Sequence, residues 1–214
     1  MSPFYWLLPL AAYLYGAVPF GFLMARLVKG VDIRRTGSGN IGATNAARVL
    51  GWKFFPLVFM LDFSKGLIPP LVATALVRGA GQPHPLAVAA ASAAIAGHVF
   101  PVYLGFRGGK GVAAGTGACF VLASWAGLGA AVVWGAVFAL WRYVSLASMG
   151  AAVALAVLVW VIYPEPLGAG VFRTAFATLG AVLVLARHAG NIRRLLSGTE
   201  HRIGCRMQQG EPEE

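Results

Sequence analysis

Apolar stretches alternate along this chain with short polar segments that are rich in glycine and in basic residues. Five apolar stretches approach or exceed the roughly 20 residues that an α-helix needs to cross a bilayer. They cover about 3–28, 54–77, 85–104, 147–163 and 171–186. The pattern predicts an all-α, polytopic integral membrane protein and argues against a soluble helical protein.

The apolar stretch 112–141 decides the topology, because its 30 residues are long for one span and short for two. If it forms one helix, the chain has six spans, and the basic segment 187–206 lies opposite the loops of Arg34 and Lys110. If it forms two short helices that turn near 124–129, the polar segments share one face of the membrane. Of the Lys and Arg residues outside the membrane, only Arg78 and Arg173 then lie on the opposite face. The excess of Lys and Arg on cytoplasmic loops favours the second arrangement. We therefore predict seven transmembrane helices, with the N-terminus outside and the C-terminus in the cytoplasm.

Composition supports the membrane class. The 214 residues are 58% hydrophobic and only 11% charged, whereas about 25% of the residues of a soluble domain are charged. The net charge of +10 is carried by residues that flank the apolar spans, which argues against nucleic acid as a partner. We expect one domain over 1–214, with functional loops at about 34–51, 97–113, 142–146 and 187–204.

Two charged residues fall inside the second apolar stretch. Asp62 and Lys65 are three residues apart, a spacing that puts them on one face of a helix. Because an isolated charge is unfavourable in lipid, we expect the two to pair and to face the interior of the bundle. The pattern leaves two roles open, a structural ion pair and a support for a loop of the active site.

The polar segments contain the residue types of a phosphate site, in which flexible glycines turn backbone N–H groups toward an anion and fixed cations add charge. The first segment, 34–45, combines glycines with polar side chains, and a basic residue follows it: Gly37, Ser38, Gly39, Asn40, Gly42, Thr44, Asn45 and Arg48. In the second segment, 105–111, glycines flank one cation: Gly108, Gly109, Lys110 and Gly111. The second segment is not a nucleotide-binding loop, because Leu104 and Gly111 stand where the Walker pattern needs Gly and Ser or Thr.

The third and fourth segments add side chains that suit acyl or phosphate chemistry. Ser145 precedes an apolar run and is placed to cap a helix N-terminus. His188, Asn191 and Arg194 recur at spacings of three, on one helical face, and Glu200 follows. His188 is the strongest candidate for a general base. The alternative is a histidine that lies at a helix end without a catalytic role.

Metal sites and cofactors are not expected. His201 and Cys205 are four residues apart, but no second pair with ligand spacing joins them, and the two cysteines, Cys119 and Cys205, indicate no disulfide framework. A transporter for a phosphorylated solute is the competing class, and it predicts polar groups through the bilayer midplane. Here only Asp62 and Lys65 are charged within the spans. The residues therefore favour phosphate chemistry at one membrane face.

Three motifs resemble the signatures of one family. They are 37–45 with Arg48, 97–98 through 108–112, and 188–191 with Arg194, Gly198 and Glu200, while the stretches 142–146 and 62–66 are similar too. In this order along nearly the whole chain, they are similar to the PlsY family of bacterial acyl-phosphate:glycerol-3-phosphate acyltransferases.

The resemblance implies seven transmembrane helices and transfer of a fatty acyl group from acyl-phosphate to the 1-hydroxyl of glycerol 3-phosphate. The products are lysophosphatidic acid and inorganic phosphate, in the first step of phospholipid synthesis. It also implies a cytoplasmic (inner) membrane protein with the active site facing the cytoplasm, the lipid bilayer as surroundings, and a soluble acyl-phosphate-producing enzyme as a further partner. No covalent acyl-enzyme and no cofactor is expected.

The resemblance also suggests roles for the motif residues. We expect Lys110 and Arg48 to bind the glycerol phosphate, with Ser38 and Asn191 orienting it, and backbone amides near Gly39 and Gly109, with Ser145, to hold the acyl-phosphate. His188 either assists deprotonation or binds phosphate. The remaining expected phosphate ligands are Asn40, Thr44, Asn45, Gly111 and Arg194. The expected supporting residues are Glu200, Asp62 and Lys65.

Overall fold

The computed structural model describes residues 3–77, 83–163 and 170–204, and these form ten α-helices and no strand. Arg78, Cys205, Arg206 and the acidic end of the chain lie outside these ranges. The helices are α1 Leu7–Ala17, α2 Phe20–Lys29, α3 Ala43–Leu50, α4 Phe55–Leu76, α5 Pro85–Val99, α6 Val112–Leu122, α7 Ser124–Trp141, α8 Val144–Ile162, α9 Val171–Arg187 and α10 Ala189–Leu196. Short 3-10 turns cover Pro3–Trp6, Ile33–Arg35, Trp52–Phe54 and Val102–Leu104.

Most of these helices are long and apolar enough to cross a membrane. Five spans pass this test by length and composition: Leu7–Lys29, Trp52–Leu76, Pro85–Leu104, Ser124–Trp141 and Val144–Ile162. A sixth is reached when α9 and α10, which meet at a bend of 56°, are taken together. Helix α6 has only 11 residues, about 16 Å at 1.5 Å per residue. The count of seven spans therefore stays a prediction.

The stretch 112–141 is divided into two helices, as predicted, but the break comes earlier than the expected turn at 124–129. It falls at Ala123, whose φ of −156° interrupts the helical backbone. The carbonyl of Leu122, which the break leaves without a helical partner, accepts a hydrogen bond of 2.9 Å from Nε of Arg173 in the first turn of α9. The Arg173 guanidinium also lies 4.0 Å from the centre of the Tyr163 ring. The break is thus held at the end of the bundle where α9 begins.

Small residues bring the helix backbones together. The largest core cluster consists mainly of alanines from α5 and α6, including Ala90, Ala91, Ala94, Ala114 and Ala118. Gly66 of α4 packs against the carbonyl of Ala114, and Gly117 of α6 packs against that of Phe63. Because lipid tails are as apolar as these side chains, close van der Waals packing between backbones stabilises the bundle.

Asp62 and Lys65 pair inside the bundle, as the sequence predicts. Lys65 Nζ donates to Asp62 Oδ1 at 2.6 Å, and both side chains are almost completely buried. Helix α4 therefore has a charged pair on the face that packs against its neighbours.

The close approach of α4 and α6 leads to a stability prediction. A Cβ on Gly66 would overlap the Ala114 carbonyl, so Gly66→Ala should lower the free energy of unfolding by about 2 kcal/mol, the usual scale of overpacking. The measurement is the thermal unfolding temperature in detergent. Gly135→Ala is the matched control, because its added Cβ meets nothing within 4 Å. Equal unfolding temperatures for the two variants would contradict the packing argument.

Candidate active site

The N-termini of four helices meet at one cavity of about 430 Å³. Its wall includes the beginning of α3 at Gly42 and Ala43, the beginning of α6 at Gly111 and Val112, the beginning of α8 at Val144 and Ser145, and His188 and Asn191 at the beginning of α10. None of these four N-termini is capped by a side chain of its N-cap residue. Since helix N-termini carry partial positive charge and unpaired N–H groups, their convergence makes an anion site.

A chain of hydrogen bonds joins three of the polar segments at this cavity. Lys110 Nζ donates to Asn191 Oδ1, and Asn191 Nδ2 donates to Glu200 Oε1 at 2.7 Å. The same carboxylate oxygen accepts from Ser145 Oγ at 2.7 Å, and Arg194 Nε donates to Oε2 at 2.8 Å. Lys110 precedes α6 and Ser145 lies in α8. The α6–α7 pair therefore leaves this site and returns to it.

Glu200 is the centre of this network. The turn that carries it is closed by its own N–H, which donates to the carbonyl of Arg194 at 3.1 Å. Burial raises the pKa of the Glu200 carboxyl, but hydrogen bonds from Ser145, Asn191 and Arg194 outweigh burial and hold the pKa below its ordinary value. Glu200 is therefore an anion that organises the surrounding cations.

Lys110 is a half-buried cation at the base of the cavity. Its pKa is lowered to about 8, chiefly by burial and also by the nearby Arg194, Arg48 and Arg187, while Glu200 acts in the opposite direction. Arg187 holds the backbone just before Lys110, since its guanidinium donates to the carbonyls of Gly108 at 3.2 Å and Gly109 at 3.3 Å. This role of Arg187 was not predicted from the sequence, although its position beside the His188 motif was a usable signal.

The first polar segment is organised from within by Asn45. Its buried Nδ2 donates to the carbonyls of Thr36 at 3.0 Å and Asn40 at 2.9 Å, and its Oδ1 accepts from the N–H of Ser38 at 2.9 Å. We expected a phosphate ligand here. The structure instead uses the Asn45 amide within the loop, so we assign it to shaping the loop.

Two backbone amides expected to hold an anion are also used internally. The N–H of Gly39 donates to the carbonyl of Thr36 at 3.1 Å, and that of Gly109 donates to the carbonyl of His98 at 3.0 Å. These two N–H groups close tight turns, while the expectation of anion-binding amides near Gly39 and Gly109 stays a prediction. The anion-binding amides are better sought at the helix N-termini.

Ser38 and Thr44 of the first segment, and Arg48 after it, lie at the cavity wall. Arg48 is half-buried, and its Nε has no hydrogen-bond partner among the described residues. Asn40 lines the wall as well, with its Oδ1 accepting from the N–H of Gly42 at 2.8 Å. Arg48 is therefore placed to receive a ligand anion.

His188 has a defined tautomer. Its Nδ1 lies 2.8 Å from the carbonyl oxygen of Val184, which can only accept, so Nδ1 carries the hydrogen and Nε2 has the free lone pair. The pKa of His188 is lowered to about 4, chiefly by burial and also by the charge of Lys110, against the opposing effects of the Val184 hydrogen bond and of Glu200. At neutral pH the ring is therefore uncharged and its Nε2 is a hydrogen-bond acceptor.

Beyond the polar groups, the cavity wall becomes apolar. Its lining there comes from α7, α8 and α9 and includes Ala130, Trp134, Leu155, Phe176 and Ala177. No group of three or more His, Cys, Asp and Glu side chains in the described part of the chain is arranged to hold a metal. The site thus combines a cationic polar end with an apolar interior.

Comparisons with known proteins agree on one family. Residues 6–198 match the family model described as glycerol-3-phosphate acyltransferase. A glycerol-3-phosphate acyltransferase of Syntrophotalea carbinolica is 48% identical over 203 residues, covering 95% of this chain and 99% of the relative. One of Aquifex aeolicus is 43% identical over 193 residues, covering 90% and 95%.

Solved structures give the same result. The crystal structure of PlsY, an integral membrane glycerol 3-phosphate acyltransferase, in its glycerol 3-phosphate form is 41% identical, has a TM-score of 0.85, and covers 94% of this chain and 96% of that chain. Its lysophosphatidic acid form has a TM-score of 0.82. These likenesses confirm the predicted all-α integral membrane class. The chain belongs to the PlsY family of glycerol-3-phosphate acyltransferases.

Proposed function

We propose that this protein transfers a fatty acyl group from acyl-phosphate to the 1-hydroxyl of glycerol 3-phosphate, giving lysophosphatidic acid and inorganic phosphate. One observation carries the proposal. Uncapped helix N-termini and the cations around Glu200 meet at the polar end of a cavity whose interior is apolar. Both substrates carry phosphate, and one carries a long apolar tail, so the cavity has a complementary region for each part of the two molecules.

The acceptor phosphate is assigned to Lys110 and Arg48, which lie at the same cavity wall. Asn191 already holds the Lys110 ammonium, and Ser38 stands at the outer edge to orient the glycerol. Ion pairs with phosphate are strong, charge-assisted hydrogen bonds. Because Glu200 is one carboxylate among several cations, the site keeps surplus positive charge for this ligand.

The donor phosphate is assigned to the N-termini of α8 and α6, at Ser145 and Gly111. The acyl chain extends from there along the apolar wall of α7, α8 and α9, so that its methylenes stay out of water in the site as they do in the bilayer. This orientation leaves the activated carbonyl carbon between the two phosphate sites. Positioning of this kind supplies a large part of the rate enhancement for a reaction between two bound substrates.

The reaction needs no enzyme nucleophile, because the acyl-phosphate is already an activated mixed anhydride. The 1-hydroxyl oxygen forms a bond to the carbonyl carbon, the bond from that carbon to the phosphate oxygen breaks, and phosphate leaves with the electron pair. Ser145 is a poor alternative nucleophile, since its hydroxyl donates to Glu200, whose lowered pKa makes it a weak base.

The hydroxyl proton passes to a phosphate oxygen of the substrates. A phosphate monoester has a second pKa of about 6, above the value of about 4 for His188, so phosphate is the stronger base. His188 Nε2 is then left to accept a hydrogen bond from the neighbouring 2-hydroxyl of the glycerol, which orients the acceptor for attack.

The return of the α6–α7 pair to the site supports the proposed membrane arrangement. Lys110 and Ser145 are joined through Asn191 and Glu200, which supports α6 and α7 as two separate crossings. Under this arrangement the chain has seven spans in the cytoplasmic membrane, with the active site facing the cytoplasm, where a soluble enzyme supplies acyl-phosphate.

Phosphate release tests the function directly. Purified protein given palmitoyl-phosphate and glycerol 3-phosphate should release inorganic phosphate and form lysophosphatidic acid, and neither should occur when either substrate is left out. Palmitoyl-CoA in place of palmitoyl-phosphate should give no product. Turnover with the CoA thioester alone would overturn the donor assignment, and absence of turnover with both donors would overturn the proposed activity.

The pH dependence tests the role of Lys110. Its protonated form attracts phosphate, and its pKa is about 8, so the charged fraction is lost as the pH rises through that value. The kcat/KM for glycerol 3-phosphate should therefore fall above about pH 8. Lys110→Arg, which stays charged, should give a lower kcat/KM without this fall. A wild-type profile that stays level to about pH 10, near the ordinary pKa of lysine, would contradict the assignment.

Cysteine labelling tests the topology. In a Cys205→Ser background, where Cys119 is buried, the exposed positions Ser124 and Ser197 are each changed to cysteine. An impermeant maleimide applied to intact spheroplasts should label Ser124→Cys, and it should label Ser197→Cys only after the membrane is opened. If 112–141 were one span, Ser124→Cys would lie within the bilayer and would stay unlabelled from both sides.

A further inference from the structure

Three ionisable side chains are buried together beneath the loop that carries Lys110. Lys65 Nζ donates to Asp62 Oδ1 at 2.6 Å and lies 3.4 Å from Nδ1 of His98. None of the three residues is more than 4% exposed. Burying an ion pair is weak evidence for stability, because desolvation offsets the attraction, and ionisable residues inside a membrane protein are typically functional. We therefore expect this cluster to have a role beyond holding α4 and α5 together.

The contact with Lys65 favours one tautomer of His98. The Lys65 ammonium has three N–H donors and no acceptor, so Nδ1 of His98 accepts in this pair. Asp62 Oδ1 lies 3.6 Å from Nδ1, too far for a hydrogen bond. The neutral ring therefore carries its hydrogen on Nε2, the reverse of the arrangement in His188.

His98 is also attached to the residues that precede Lys110. Its carbonyl accepts from the N–H of Gly109 at 3.0 Å, and the next carbonyl, that of Val99, accepts from the N–H of Gly108 at 3.1 Å. The ring Nε2 lies where a Cβ of residue 109 would be, so only glycine fits against it. These two hydrogen bonds close the loop 100–107 at its base. The base consists of 98–99 and 108–109, and it packs against the His98 ring.

We propose that Asp62, Lys65 and His98 are positioning residues for Lys110. The ion pair holds the His98 ring in one orientation and tautomer. His98 in turn fixes the position of the backbone at 108–109, from which the Lys110 side chain reaches Asn191. His98 and Asp62 line the cavity together with Lys110, so a shift of the ring is passed directly to the phosphate site. The inference rests on the proposed function for its kinetic readout.

A double variant separates positioning from a purely structural pair. Asp62→Leu or Lys65→Met alone leaves one buried charge unpaired and should lower the unfolding temperature, whereas the double variant Asp62→Leu/Lys65→Met removes both charges and should recover much of the wild-type stability. Its kcat/KM for glycerol 3-phosphate should nevertheless stay about 10- to 100-fold below wild type, because Lys110 is misplaced. Recovery of both stability and kcat/KM would overturn the inference.

Variants of His98 give an independent measurement that does not depend on how the double variant folds. His98→Gln keeps an N–H donor near the place of Nε2, while His98→Phe keeps ring volume alone. We expect Gln to retain substantially more kcat/KM than Phe at similar unfolding temperatures. Equal losses in the two variants would contradict the positioning role of the ring. Thr74→Val is the matched control on α4, because its buried hydroxyl has no hydrogen-bond partner among the described residues, and it should leave kcat/KM unchanged.

Equilibrium binding keeps this inference apart from the proposed reaction. Titration with glycerol 3-phosphate alone, followed by calorimetry, needs no acyl donor and no turnover. The dissociation constant should rise about tenfold or more in His98→Phe and in the double variant, and should stay at the wild-type value in Thr74→Val. If the protein forms no product but shows these shifts, the reaction assignment fails and the positioning inference stands. Unchanged affinity in all variants would overturn the inference.

Discussion

The hydrogen bonds to the Glu200 carboxylate are the interactions on which the geometry of the site depends. The carboxylate accepts hydrogen bonds from Ser145 of α8 and from Asn191 and Arg194 of α10, and through Asn191 it reaches Lys110 before α6. Without a central anion, the cations gathered here would repel one another in a region of low dielectric. The Glu200 carboxylate reduces this repulsion but does not balance every cation, so surplus positive charge remains at the cavity.

A second constraint concerns the backbone N–H groups. In the glycine-rich loops, the amides of Gly39 and Gly109 are used to close turns, whereas the N-termini of α3, α6, α8 and α10 are left without side-chain caps. These two loop glycines thus close turns, and the uncapped helix ends line the cavity. Because the donors are held by rigid helices, little reorganisation is needed when an anion arrives, and electrostatic stabilisation of a transition state benefits from such preorganisation.

Much of this architecture could be predicted from the sequence, because apolar runs report membrane helices directly and charge asymmetry reports which loops share a face. The pairing of Asp62 with Lys65 followed from their spacing alone. The role of Asn45 and the clamp formed by Arg187 did not follow. Arg187 binds carbonyls 78 and 79 residues away, and local spacing holds no information on such contacts. The turn was predicted at 124–129 and not at Ala123, because local sequence does not show that Arg173, far along the chain, donates to the carbonyl that the break exposes.

The same division between polar end and apolar interior links the site to its surroundings. Under the proposed function, a substrate with a phosphate head and an acyl tail would lie here as a membrane lipid does, with the charged group at the helix N-termini and the tail among α7, α8 and α9, which line the apolar part of the cavity. The cost of desolvating the head is offset by cations and N–H dipoles, and the tail exchanges one apolar environment for another. The affinity of the site therefore depends on the phosphate groups. This explains why so much of the buried polar structure, from the Glu200 network to the Asp62–Lys65–His98 cluster, is concentrated around a single lysine.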